Sequence, residues 1–391
     1  MADCNHSCFQ AFGTINHIYA DVSNDVLCAC KSLCLSLHQK FNRFDKTSEL
    51  ASLNAHAGQE FRCSQDMASV LQVACALYEE SEGLYNVAVG PLSDLWHFTA
   101  RDDTAFRVPE PSAVESALAR TNLSLVELHQ SREESAARLS SFALCREDLC
   151  GEVLRGEVLR EEALRGEASC RKGRPSEQRT ALTALEGEKA LESESTPEPE
   201  SAFEPEFAPK LEFEEEKIPI RIPSGMRLDL GSIAKGYAAD RAAAFLWSQG
   251  ARHGFLNFGG TILVLGPKAD GSAWSFGLQS ASAAPGQEHW VALELHWGAL
   301  AVSSGYERGA NCGKRRFHHI INPKTGYPVE NGVAETAVLA QNAMMADALS
   351  TAAFVMGPES AFDLVHSLNA ALLFRMEDGR VRMTQGFPVR R

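Results

Sequence analysis

Leu228-Asp229-Leu230-Gly231-Ser232-Ile233-Ala234-Lys235-Gly236 reads as the end of a short apolar strand, a glycine turn and the first turn of an Ala-rich helix. Two later segments share its chemistry. His318-His319-Ile320-Ile321-Asn322-Pro323-Lys324-Thr325-Gly326 puts a histidine pair on a short apolar strand that runs into a Pro/Gly turn. Ala346-Asp347-Ala348-Leu349-Ser350-Thr351 places Asp347 and Thr351 at i and i+4 on one helix face, where their side chains meet. A carboxylate beside hydroxyls is hard oxygen ligation, which suits Mg²⁺ or Ca²⁺ and not zinc. Asp is common on solvated helix faces, but Met344, Met345, Ala346, Ala348 and Leu349 leave Asp347 little solvated face to occupy. Two consecutive histidines on a strand point to opposite faces, so only one of His318 and His319 enters a shared site.

Outward from these segments the chain mixes strands and helices without regular βαβ alternation, which favours an α+β fold. Residues 22–42 are predicted helical, with Ser23 or Asp25 as N-cap and an apolar stripe of Leu27, Cys30, Cys34, Leu37 and Phe41. Asp66 to Glu82 is a second amphipathic helix stopped by Gly83, and Pro111 to Thr121 suggests a third. Met226 to Leu230 reads as a strand, and Ala234 to Ser248 as a helix ending before Gly250. Phe255–Phe258 and Thr261–Leu265 flank Gly259-Gly260, a bulge or close-approach signal. Trp274–Gln279 and Trp290–His296 alternate as strands, Ala343–Met356 is a helix closed by Gly357-Pro358, and the remainder gives a helix and a hairpin.

Residues 133–217 differ in character. Gly151-Glu152-Val153-Leu154-Arg155, Gly156-Glu157-Val158-Leu159-Arg160 and Glu161-Glu162-Ala163-Leu164-Arg165 repeat with period five, which matches neither helix nor strand. Thr196-Pro197-Glu198-Pro199-Glu200 and Phe203-Glu204-Pro205-Glu206-Phe207 follow, too acidic and Pro-rich to pack. Between Glu186 and Glu216 there are 12 Glu against two Lys, which supplies ten of the net −14 charges. The expectation is one large domain, residues 1–132 and 218–391, interrupted by an acidic low-complexity insert that is a disordered spacer or, less simply, a docking arm for a basic partner. Long surface insertions cost little stability.

The acidic balance argues against general nucleic-acid binding. No run of about 18 apolar residues exists, so no transmembrane helix is expected. Met1-Ala2-Asp3-Cys4-Asn5-His6 has neither the basic residue nor the apolar core of a signal peptide, so a cytoplasmic location is expected, or export as a lipoprotein if a leader is missing. Eleven cysteines without paired spacing fit reduced thiols, and the helical spacing of Cys30 and Cys34 fits packing better than metal ligation.

Taken in order, the segments are similar to those of the FAD:protein FMN transferases, the ApbE family. The resemblance runs from Phe12-Gly13-Thr14 through Phe44-Asp45-Lys46-Thr47-Ser48-Glu49-Leu50 with Asn54, and through Gly83-Leu84-Tyr85-Asn86-Val87-Ala88-Val89-Gly90-Pro91-Leu92 with Trp96. It resumes at Asp229 and continues through Gly236-Tyr237-Ala238-Ala239-Asp240-Arg241, Gly259-Gly260, Ser303-Ser304-Gly305-Tyr306 and the two later segments. It implies a T-fold-like architecture of mixed and antiparallel sheets with packed helices.

The resemblance also implies a Mg²⁺ site at Ser232, Asp347, Ser350 and Thr351. It implies FAD contacts at Phe12, Phe44, Leu84, Tyr85, Asn86, Asp229, Lys235 and Ile321, with Phe44 or Tyr85 available to stack on the isoalloxazine. His319, one place before Ile-x-Asn-Pro, is implied as general base, with Asp347 as the other catalytic residue. Asn86, Ser350 and Asn322 stand where relatives commonly carry acids, so a carboxylate that would orient the imidazole is absent at Asn322. The activity implied is Mg²⁺-dependent transfer of FMN from FAD to a Thr or Ser hydroxyl of an acceptor protein, a redox-complex subunit for example, with release of AMP. Two alternatives keep the same residues: an FAD pyrophosphatase using water, and a flavin-binding protein without turnover.

Overall fold

The structure, a computed structural model, describes residues 4–98, 106–128, 160–162, 182–184, 217–278, 289–306, 308–313 and 315–390. Its centre is a nine-stranded sheet, antiparallel throughout. In spatial order it runs β1 (Asn5–Ala11), β2 (Thr14–Ala20), β8 (Gly254–Phe258), β9 (Thr261–Gly266), β12 (Gly298–Ser304), β15 (Val333–Ala340), β16 (Ala371–Met376), β17 (Val381–Met383) and β5 (Arg160–Glu162). Alternate residues serve opposite faces. Ile18, Leu256, Leu263, Ala301 and Val338 enter the larger core, whereas Phe255, Ile262, Leu300, Ala337 and Leu339 enter a second one. With both faces covered, β8, β9 and β15 are buried along their whole length and read as near-continuous apolar runs.

Helices α1 (Asn24–Phe41), α6 (Ala234–Ser248) and α7 (Ala343–Met356) cover the first face. On α1 the buried residues are Leu27, Cys30, Cys34, Leu37 and Phe41, the predicted stripe, and Ser23 caps the helix by accepting from the Val26 N–H. The eight described cysteines are free thiols, and Cys30 and Cys34 are core residues. α3 (Gln65–Glu80) is tied to α1 and α6 through buried Asp66, which takes Lys40, Arg241 and the Tyr237 hydroxyl. The second face is covered by a small sheet of β11 (Val291–Leu295), β10 (Trp274–Leu278) and β6 (Leu182–Ala184).

A third sheet orders β3 (Glu60–Cys63), β7 (Ile218–Arg221) and β4 (Glu127–Leu128). Here Glu127 pairs with Arg221 and Leu128 with Ile220, so the strands on either side of the insert are direct neighbours. The insert itself lies outside the described residues apart from β5, β6 and Lys217. The hairpin β13 (Gly309–Cys312) and β14 (Arg315–His318) packs with α4 (Gly90–Trp96) and α5 (Pro111–Leu118) around Trp96 and Phe317. α2 (Glu49–Ala55) and α8 (Pro358–Ser367) complete the helices named here. No helix among the described residues is long and apolar enough to cross a membrane.

One predicted strand is absent. Met226 to Leu230 is held in no ladder; Asn54 bonds both the N–H and the carbonyl of Leu228, and Val87 accepts from Asp229 N–H. A side-chain amide replaces the neighbouring strand, which is why apolar alternation alone misleads here.

Candidate active site

Helices α6 and α7 cross at unusually close range, and the site lies at their crossing. A Cβ added to Gly236 would stand 2.2 Å from the Ala343 carbonyl oxygen and 2.6 Å from Met344 Cα, so only glycine allows the approach. The two helices then cap each other. Asp240 of α6 accepts from the N–H groups of Ala343 (2.8 Å) and Met344 (2.9 Å) at the start of α7. In return Asp347 of α7 accepts from Gly236 N–H (3.0 Å) in the first turn of α6, which has no side-chain cap of its own. Replacing Gly236 with Ala is expected to destabilise the fold by about 1–3 kcal/mol, because backbone and not a flexible side chain must move. Urea denaturation checks this, and Mg²⁺ affinity measured on the same variant should fall with it.

Asp347 is only 3% exposed. Besides Gly236, it receives the Lys235 ammonium at 2.9 and 3.3 Å on its two oxygens and the Thr261 hydroxyl at 3.3 Å. The same ammonium reaches the Gly231 carbonyl at 3.2 Å. Lys235 therefore sits among three oxygens, two carboxylate and one carbonyl, which is a cation position by construction. These hard donors fit Mg²⁺ in place of the ammonium. Thr351 continues the oxygen array through Ser303 of β12, whose hydroxyl is 3.2 Å from that of Thr351 and 2.8 Å from that of Ser350. Ser350 is fully buried, and its hydroxyl donates to the Asp347 main-chain carbonyl, so it serves as a helix bond and a strand tie. Ser232 stands in the turn before α6 with its hydroxyl 3.2 Å from that of Tyr85.

His318 and His319 are separated by their bonds. His318 accepts from Ile320 N–H and donates to the Val329 carbonyl, and its ring meets Phe354 edge-on, so both nitrogens are committed. His319 is half-buried with Nδ1 3.2 Å from the Arg308 carbonyl. A carbonyl can only accept, so Nδ1 carries the proton and Nε2 presents its lone pair. Burial and the Arg308 charge push the His319 pKa down to about 4, against the pull of that hydrogen bond; Lys235 adds to the lowering.

The predicted flavin contacts divide by exposure. Phe44 is 66% exposed with the Arg43 guanidinium over its ring, and Arg43 also pairs with Asp229 at 3.2 Å. Asp229 accepts from Gly231 N–H as well, fixing the turn that leads into α6. Phe12 holds φ +54°, uncommon for a bulky residue, with its N–H on His38 and its ring edge-on to that imidazole. Leu84 is half-buried against the large core. Tyr85 is fully buried, its pKa raised by desolvation, so its ring has no face for a flavin; a residue that reads as an aromatic platform supports Ser232 instead. Asn86 closes a local turn, accepting from Ala88 N–H and donating to the Thr121 carbonyl. Ile321 packs its side chain into the Trp96–Phe317 cluster. Asn322 accepts from Lys324 N–H within its own turn, so this side chain shapes the turn and does not orient His319.

Sequence reasoning did not place Thr261, Ser303 or the Gly236 N–H in the site. Thr261 follows the Gly259-Gly260 turn and Ser303 begins a recognisable Ser-Ser-Gly-Tyr, but nothing local says that either meets α7.

The ApbE family model matches residues 12–148 and 181–374. Among curated proteins, an FAD:protein FMN transferase of Treponema pallidum is 33% identical over 172 residues, which is 42% of this chain and 47% of that protein. One of Haemophilus influenzae is 33% identical over 156 residues, 39% of this chain and 45% of its own. These alignments span about half the length of the relatives. An ApbE protein of Thermotoga maritima has the same fold, with a TM-score of 0.69 at 24% identity over 98% of both chains. The flavin transferase ApbE of Vibrio cholerae gives 0.64 at 22% identity, again over 98% of both.

Proposed function

The chain belongs to the ApbE family, and from that premise we propose that it is a flavin transferase. It moves FMN from FAD onto a Thr or Ser hydroxyl of an acceptor protein through a phosphoester bond and releases AMP. The observation that carries this reading is the pairing of a buried oxygen site at Asp347 with a histidine whose free Nε2 is held unprotonated.

Asp347, Thr351 and the Ser232 turn would hold Mg²⁺, which supplies charge neutralisation on the pyrophosphate. Lys235, in the first turn of α6, offers its ammonium to the phosphates. Phe44 presents its open face beside Arg43 and Asp229 for a planar ring of the dinucleotide. His319 takes the proton of the acceptor hydroxyl at Nε2. The hydroxyl oxygen bonds to the FMN phosphorus, the pyrophosphate P–O bond breaks, and AMP leaves with the electron pair.

The test is AMP release from FAD, with and without Mg²⁺ and an acceptor peptide, together with flavin fluorescence on that peptide. Release that needs the peptide and labels it supports transfer. Equal release without peptide gives the pyrophosphatase, and tight FAD binding without release gives a carrier.

The pH dependence follows from His319. Its folded pKa lies below the ordinary imidazole value, so the neutral base persists as pH falls through 6.5 and is lost only near its pKa of about 4. The acid limb of kcat/KM is therefore expected near pH 4 to 5 and not near 6.5, read from a pH–rate profile in wild type.

A further inference from the structure

Lys235 does not extend into solvent as a phosphate ligand waiting for substrate would. Its ammonium is folded back onto the oxygens of Asp347 and Gly231, with a side chain only 20% exposed against 4% for Asp347. A carboxylate this deeply buried needs a countercharge, and among the described residues Lys235 is its ion-pair partner. We propose that Lys235 is a built-in occupant of the cation site, which a divalent cation must displace. This rests on the metal reading of Asp347 given above.

Two consequences follow from one positive position shared by two cations. Mg²⁺ competes with the ammonium for Asp347, so the affinity measured in wild type is lower than the oxygen set alone would give. The displaced ammonium is then free, one side chain away from the metal and at the start of α6, to meet an anionic group. Metal binding thus readies the anion subsite, and an anion that pulls Lys235 away favours the metal in turn, since such coupling is reciprocal. The Gly236 N–H and Thr261 hydroxyl hold Asp347 in place while its cation changes.

The experiment uses the full chain and Mg²⁺ alone, without FAD. In wild type, acylation of Lys235 by acetic anhydride is followed by peptide mass spectrometry with and without Mg²⁺. A several-fold rise in its reactivity on adding Mg²⁺, with other lysines unchanged, is expected; an unchanged or reduced rate overturns the proposal. Calorimetric titration of Lys235→Gln and Lys235→Met with Mg²⁺ is expected to show binding tighter than wild type by about tenfold, in the ordinary range of coupling between linked occupants. Equal or weaker binding by a folded variant overturns it. The acylation measurement needs no variant, so a misfolded substitution leaves the proposal open to refutation. Titration of Asp347→Ala separates the two ideas: if it binds Mg²⁺ as wild type does, the metal site itself is misassigned and the proposal falls with it. If Asp347→Ala loses the metal and Lys235→Gln does not gain affinity, only the displacement fails.

Discussion

Asp347→Ala is expected to lower AMP release from FAD by at least about 10²–10³-fold, the scale of losing one preorganised electrostatic contact at a transferring group. Asp347 is the carboxylate at the oxygen site, because Ser350 is neutral and spent on a helix bond and on Ser303. The substitution also has a structural side. It removes the cap on α6 and leaves the Lys235 ammonium without its partner, so some loss of stability accompanies the loss of rate. Asp347→Asn separates the two effects, since its amide oxygen still accepts from Gly236 N–H while the charge is gone. Both variants should lose turnover, and Asn should melt closer to wild type. Near-full, EDTA-sensitive AMP release by Asp347→Ala would remove Asp347 from the site.

His319→Ala should slow the chemical step by roughly 10²–10⁴-fold if Nε2 is the base. Here the expected pattern differs, because among the described residues His319 makes no bond to Asp347, Thr351 or Ser303 and is held instead by the Arg308 carbonyl. Mg²⁺ affinity and melting temperature should therefore stay near those of wild type while kcat falls. His318→Ala is the control in the opposite sense. That imidazole bridges Ile320 and Val329, so its loss should appear as reduced stability in urea denaturation. Equal loss of turnover in both variants at unchanged stability would move the base from His319.

The contrast between the two histidines shows how far the sequence can be read. Strand alternation says that only one of them enters the site, and resemblance selects His319. The reason appears only with the carbonyl of Arg308, eleven positions away across the hairpin, and with Val329 beyond the turn. The helices were legible because their signals are local. The stripe on α1, the Ala-rich α6 and the Gly357-Pro358 stop of α7 each lie within the element they define. The burial of the Tyr85 ring is not legible in the sequence, because an aromatic two places after a glycine looks alike whether it faces a ligand or the core, and burial is a property of the whole fold. The mutual capping by Asp240 and Asp347 joins residues more than a hundred positions apart, and no periodicity encodes it.

The pairing of β4 with β7 has a consequence for the chain as a piece of engineering. Glu127 lies against Arg221 and Leu128 against Ile220, so the polypeptide departs and returns through one doorway a single strand spacing wide, about 5 Å. The segment threaded between them starts and ends at two adjacent posts and meets the other sheets at β5 and β6, and lengthening a loop within it adds only a logarithmic entropy term. A host built this way accepts a guest whose own ends lie side by side. A fluorescent reporter or a second enzyme could be spliced at that doorway without asking the sheets beneath to change register.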